Sequence, residues 1–156
     1  MKMKKVLIPC LFILAAVVSK AQTSNAITDA DLEKYAITLD SVESMQETLR
    51  EIVAETVQKN TVTTIARYNQ LFKVTGDEAK LKEAQATPEE ITFLKQVDDL
   101  RTVNLARINS TYQALAKDYV GIKAFNAIRK SLASDKDLKA RYDTVSKDLE
   151  SKQKGG

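Results

Sequence analysis

From Leu32 to Val57 the chain sets an apolar residue every three or four positions: Leu32, Tyr35, Leu39, Val42, Met45, Leu49, Ile52, Val53 and Val57. No Gly or Pro interrupts the run. This spacing lines one face of a helix with 3.6 residues per turn, whereas a half-buried strand alternates apolar and polar residues. Tyr35, Val42, Leu49 and Thr56 also keep a seven-residue step, the repeat of a helix packed along a partner. A stripe this long must bury itself against a second long element. Ile91, Leu94, Val97, Leu100, Leu105, Ile108, Tyr112, Leu115 and Tyr119 supply one.

Local signals set the boundaries. Thr28 with Asp29 and Asp31 is a threonine cap followed by acids that complement the helix dipole, and Ile27 is placed to staple onto Leu32. Thr87-Pro88-Glu89-Glu90 is a second start: Thr caps, Pro occupies the first helical position, and Glu90 closes a capping box. Gly76 and Gly121 are the internal turn residues. The β-branched run at 60–65 lowers helix propensity, and a strand there lacks an evident partner, so an irregular, kinked helix is expected to continue to 75. Residues 76–87 read as a polar connector, a short exposed turn of helix or a mobile link, with Leu81 its one large apolar residue. The second long helix covers about 88–119, and short helices about 122–133 and 135–151. The expected fold is all-α, an antiparallel hairpin or bundle of two long helices plus two or more short ones, in a single domain over 22–156.

The first 21 residues have a different composition. Lys2, Lys4 and Lys5 precede a thirteen-residue apolar run, Val6 to Val18, and Ser19-Lys20-Ala21 places small residues where a signal peptidase reads them. A run of thirteen is short for a membrane span, which needs about twenty residues. The pattern is that of a cleavable signal peptide cut between Ala21 and Gln22, with a bacterial style of n-region. Periplasm or secretion is the expected location, with no integral span after cleavage. Cys10 lies inside the apolar run, so it is not placed as a lipoprotein cysteine. Residues 22–156 then hold 20 basic and 21 acidic side chains, and the formal +3 of the whole chain becomes about −1. A nucleic-acid binder carries a clustered basic face, and this balance offers none.

Absent residue types exclude several chemistries. The chain has no His and one Cys, so a Ser–His–Asp triad, a Cys–His dyad, a tetrahedral zinc site and a disulfide framework are ruled out. Four Gly are too few for a phosphate-cradling loop. Glu43, Glu47, Glu51 and Glu55 form a row four apart, which one straight helix face cannot converge on a cation. Asp135 and Asp137 resemble half a calcium loop, but neither the glycine turn nor the terminal Glu follows. Adjacent carboxylates such as Asp98 and Asp99 point about 100° apart on a helix and do not share a substrate. No catalytic, cofactor-binding or metal residue is expected.

Residues 119–142 carry a further pattern. Gly121-Ile122, Phe125-Asn126 with Ile128, Ser134-Asp135 with Leu138, and Arg141 resemble the C-terminal signature of a family of exported bacterial helical domains of unknown function. Asp31 to Ala36 with Tyr35, followed by Val42, is similar to the front of that family's pattern. The usual signature has Pro after the Ser-Asp step, where this chain has Lys136. The resemblance implies a helical fold and brings no activity, since the family has no agreed function and no established catalytic residues. On their own chemistry these residues are structural: Phe125 and Ile128 share a core face, Asn126 caps or bridges the preceding turn, Ser134 or Asp135 caps a helix, and Arg141 reaches Asp137 four residues earlier.

Two features remain open to function. Asp98 falls within the apolar stripe with Arg101 three residues on, either as a polar break that fixes register or as an ion pair facing a ligand groove. Tyr35, Tyr68, Tyr112, Tyr119 and Tyr142 either pack in the core with hydroxyls at the rim or line a groove for a peptide or a glycan. The expected function is that of a non-enzymatic exported helical protein acting by contact, an envelope-interaction or chaperone-like module with a protein partner. A self-associating structural or stress-related bundle is the alternative. A carboxylate-dependent hydrolase comes third, and membrane-surface binding is a minor fourth.

Overall fold

A computed structural model describes residues 27–154; the signal-peptide pattern at 1–21 lies outside the described residues. Six α-helices and no strand occur among the described residues. Helix α1 spans Asp29–Lys59, and α2 (Ile65–Phe72) and α3 (Glu78–Glu83) follow. Helix α4 (Pro88–Ala114) runs on through a π-helical turn, Leu115–Tyr119, and α5 (Ile122–Ser131) and α6 (Lys136–Lys154) complete the order. At 1.5 Å per residue, α1 is about 46 Å long. It lies antiparallel to α4: Val57 near its end packs with Phe93 and Leu94, while Leu32 near its start packs with Ala116 and Val120.

Both long helices begin at the expected caps. The Thr28 hydroxyl accepts from the Asp31 N–H at 3.1 Å, and the Asp31 carboxylate accepts from the Thr28 N–H at 3.0 Å. Thr87 and Glu90 repeat the exchange at 3.2 and 3.0 Å. Each box satisfies donors that a helix start leaves orphaned. Gly76 and Gly121 adopt φ of +90° and +89°, a region open to glycine and strained for other residues.

The core is divided. One cluster joins Leu32 and Tyr35 to Ala116, Val120, Phe125, Ile128 and Leu138, with Tyr112 and Tyr142 against it. Its aromatics interlock: the Tyr35 ring lies 4.8 Å from Phe125 and 5.9 Å from Tyr142, and Tyr112 stands edge-on to Phe125 at 5.6 Å. The other cluster joins Val57, Tyr68, Leu71, Leu81, Phe93, Leu94 and Val97. Leu49 and Ile108 are buried between the two.

Two expectations need correction. The kinked helix through 60–75 is a break followed by a separate helix. Asn60 causes it: its amide donates to the Val57 carbonyl, and its Oδ1 accepts from the Val62 and Thr63 N–H groups at 2.9 and 2.8 Å. Those bonds compete with helix continuation, and Thr64 then caps α2 by accepting from the Arg67 N–H at 3.2 Å. The connector at 76–87 holds a short, largely exposed helix, α3, which is one of the two expected readings, with Leu81 its one buried side chain. In α4 the buried face is Phe93, Leu94, Val97 and Ile108, whereas Ile91 and Leu105 are exposed. Leu105 stands about 80° round the helix from Val97, and Ile91 about 120°, so a stripe counted by threes and fours drifts off the true face.

Candidate functional site

The second cluster holds α2 back against α4 through one charged clasp. Arg67 donates from Nε to Glu90 Oε1 at 3.0 Å and from Nη2 to Oε2 at 3.2 Å, and also to the Ala84 and Gln85 carbonyls at 2.9 and 3.1 Å. The Thr63 hydroxyl adds a 3.3 Å bond to Glu90. Glu90 is 8% exposed, so its charge stands only because these donors surround it. The Arg67 bonds, with the Thr87 N–H, hold its carboxyl below the usual glutamate range against the opposing effect of burial. The same pairing raises the Arg67 guanidinium. One clasp thus ties α2, the end of α3 and the start of α4 together.

Held this way, α2 does not close over the middle of the hairpin. An open, mostly apolar groove of about 770 Å³ lies between the C-terminal half of α1, α2 and α4. Leu49, Val53 and Val57 form one wall, and Ile65, Tyr68 and Leu105 the other. Ile65 is 53% exposed and Leu105 50%, so apolar surface on the wall facing α1 meets solvent. The α1 wall runs from Gln46 to Gln58, about 18 Å, or more than three helical turns. The volume falls within the roughly 300–1,000 Å³ range of ligand sites. Arg50 and Arg101 stand on the rim, and none of the described residues lining the groove is a carboxylate. Burial raises the Tyr68 hydroxyl above its usual pKa, with nearby Arg101 opposing the shift and Asp98 adding to it.

The structure separates the two residues paired by spacing. Asp98 is exposed, and no Asp98–Arg101 ion pair occurs among the described residues. Arg101 turns instead over the Phe72 ring, its guanidinium carbon 4.9 Å from the centroid, and lines the groove. A planar cation gains from an aromatic face without leaving water fully, and α2 supplies that face.

The signature-like residues assemble elsewhere, around the first cluster. Phe125 and Ile128 are core, at 3% and 0% exposure. Gly121 turns the chain into α5, and Leu138, on α6, is buried in the first cluster. Asp135, rather than Ser134, caps α6, its Oδ1 accepting from the Asp137 and Leu138 N–H groups at 3.0 and 2.9 Å. Arg141 does not pair with Asp137; it donates to Asp29 at 2.6 and 3.0 Å and to the Ile27 carbonyl at 3.1 Å, tying α6 to the start of α1. Asn126 is exposed, with no side-chain hydrogen bond among the described residues, so it bridges no turn. Glu43, Glu47, Glu51 and Glu55 all face solvent. Of the tyrosines, Tyr68 lines the groove while Tyr35, Tyr112 and Tyr142 belong to the aromatic cluster. Lys34 sits 5.8 Å over the exposed Tyr119 ring.

Sequence reasoning named Arg101 and Tyr68 as candidate groove residues but not the groove's walls, which come from three helices, one of them cut off by an unforeseen break. The Arg67–Glu90 clasp, spanning 23 residues, carried no local signal beyond the capping box. Among the described residues there is no cluster of three potential metal ligands, and no helix long and apolar enough to cross a membrane. Protein-family models, curated proteins and solved structures yield no match to the chain. The family resemblance therefore rests on the quoted residues alone.

Proposed function

We propose that this chain is an exported, non-enzymatic binding module that holds an apolar segment of a partner protein in the groove between α1, α2 and α4. The observation that carries this reading is the groove itself, with Ile65 and Leu105 half exposed on the wall that faces α1. A cleft lined mainly by apolar side chains, with a few polar groups at its rim, is the usual form of a binding site. The leader-like pattern at 1–21 supports export, and the lack of histidine and of any cysteine beyond Cys10 supports binding over catalysis. The test uses suppression of aggregation of a chemically unfolded client. Leu105→Glu places a charge in the groove from a half-exposed position that the fold does not rely on. The variant is expected to keep its helical circular dichroism and lose at least half of the protective effect. Full retention of protection by a folded Leu105→Glu protein would rule out the groove as the binding site. Sedimentation at high micromolar concentration separates this reading from self-association, in which a second copy covers the same surface.

A further inference from the structure

The groove walls are all α-helices, and that limits what can lie between them. Helix backbone groups are spent within the helix, so the walls offer no row of free N–H and C=O groups to an extended peptide. An extended occupant would leave its own amides unpaired against Leu49, Val53, Val57 and Ile65. A helix brings its backbone already satisfied. The wall length of about 18 Å fits a three-turn apolar face with anchors at i, i+3 or i+4, and i+7.

Charge then selects among amphipathic helices. The described lining residues include two arginines and no carboxylate. Arg50 has Glu47 beside it at 3.5 Å, both side chains well exposed. Arg101 differs: it is half-buried, lies over Phe72, and has no carboxylate within ion-pair distance among the described residues. An anionic side chain flanking the apolar face of an incoming helix would meet that guanidinium at the mouth of an apolar groove, where an ion pair is less screened than on open surface. A cationic flank would meet like charge.

Resting on the proposed binding role, we infer that the occupant is an amphipathic helix of about three turns whose apolar face is flanked by Glu or Asp, with Arg101 as the residue that reads the flank. The experiment uses synthetic helices with one set of Leu anchors and either Glu or Lys flanks, measured by fluorescence anisotropy against the purified protein. The Glu-flanked helix is expected to bind at least about fivefold more tightly at low salt, with the preference shrinking toward unity near 1 M salt, where the screening length is about 3 Å. Arg101→Gln should erase the preference by weakening the Glu-flanked helix and tightening the Lys-flanked one, and Arg101→Lys should restore most of it. Equal binding of both helices to the wild type overturns the charge selection and leaves the groove role standing. Failure of both helices to bind, with binding of an extended apolar peptide of the same composition, overturns the helical occupant. Failure of all three peptides removes the binding role itself. A preference that survives Arg101→Gln assigns the selection to another residue and overturns this inference.

Discussion

Glu90 shows how much one side chain carries here. It closes the capping box of α4, accepts both Arg67 donors and takes a hydroxyl from Thr63, while 8% exposed. Its folded pKa lies below the ordinary glutamate value, chiefly through the Arg67 hydrogen bonds. A carboxyl lowered on folding stabilises the native state above its unfolded pKa, and that contribution is lost as pH falls through the folded one. Asp31, Glu55 and Asp77 are shifted the same way by Thr28, Lys59 and Lys80. With no histidine in the chain, thermal stability should stay nearly flat from about pH 5 to 8 and fall below about pH 5. Glu90→Gln should lower the melting temperature by a few degrees at neutral pH, and its curve should approach the wild type as pH falls. Melting curves at stepped pH check this, and parallel wild-type and variant profiles would contradict it.

At the scale of elements, what was legible divides by the range of the signal. Helix α1 begins at Thr28 and ends at Lys59, as cap and stripe indicate, because both are local properties of the chain. The break at 60–64 was hidden because Asn60 acts through three bonds to its neighbours, which propensity averaged over a window does not register. A short turn of helix was foreseen at α3, but the burial of Leu81 was not, because one leucine makes no period; it joins a cluster with Tyr68, Leu71 and Phe93 from other helices. The end of α3 holds the one non-glycine residue of positive φ among the described residues. Gln85 has φ of +53°, and the Ala86 and Gln85 N–H groups bond back to the Leu81 and Lys82 carbonyls at 3.0 and 2.9 Å. That is a Schellman ending with glutamine where glycine is the usual residue. The left-handed conformation is costly for a residue with a Cβ, so Gln85→Gly should stabilise the protein by about 0.5–1 kcal/mol. Urea unfolding followed by circular dichroism measures it. A destabilisation would mean that the Gln85 side chain contributes more than its backbone conformation costs.

Across the whole molecule, the two clusters differ in how far apart their residues lie in the chain. The second, with its satellites, is assembled wholly from residues 53–97. The first joins residues 27–39 to residues 112–145, so more than 70 residues of chain must be closed into a loop before it forms. Loop-closure entropy grows with length, and contacts close in sequence offset it first. The α1–α2–α3–α4 corner should therefore be largely assembled in the folding transition state, with docking of α5 and α6 onto α1 following. The Arg141–Asp29 tie would then form late, as an exposed pair that contributes little by itself. Leu71 and Leu32, both 0% exposed, are matched probes of the two clusters. Truncation of either to Ala should cost about 2–5 kcal/mol. The kinetics should separate them: Leu71→Ala should chiefly slow folding, whereas Leu32→Ala should leave folding nearly unchanged and speed unfolding. Stopped-flow chevrons give both limbs. Equal slowing of folding by the two variants would show that the clusters form together and that the hairpin closes along its full length before either end packs. The predicted order also bears on the groove, whose walls belong to α1, α2 and α4. A chain that builds this corner first presents its apolar site before the first cluster is complete.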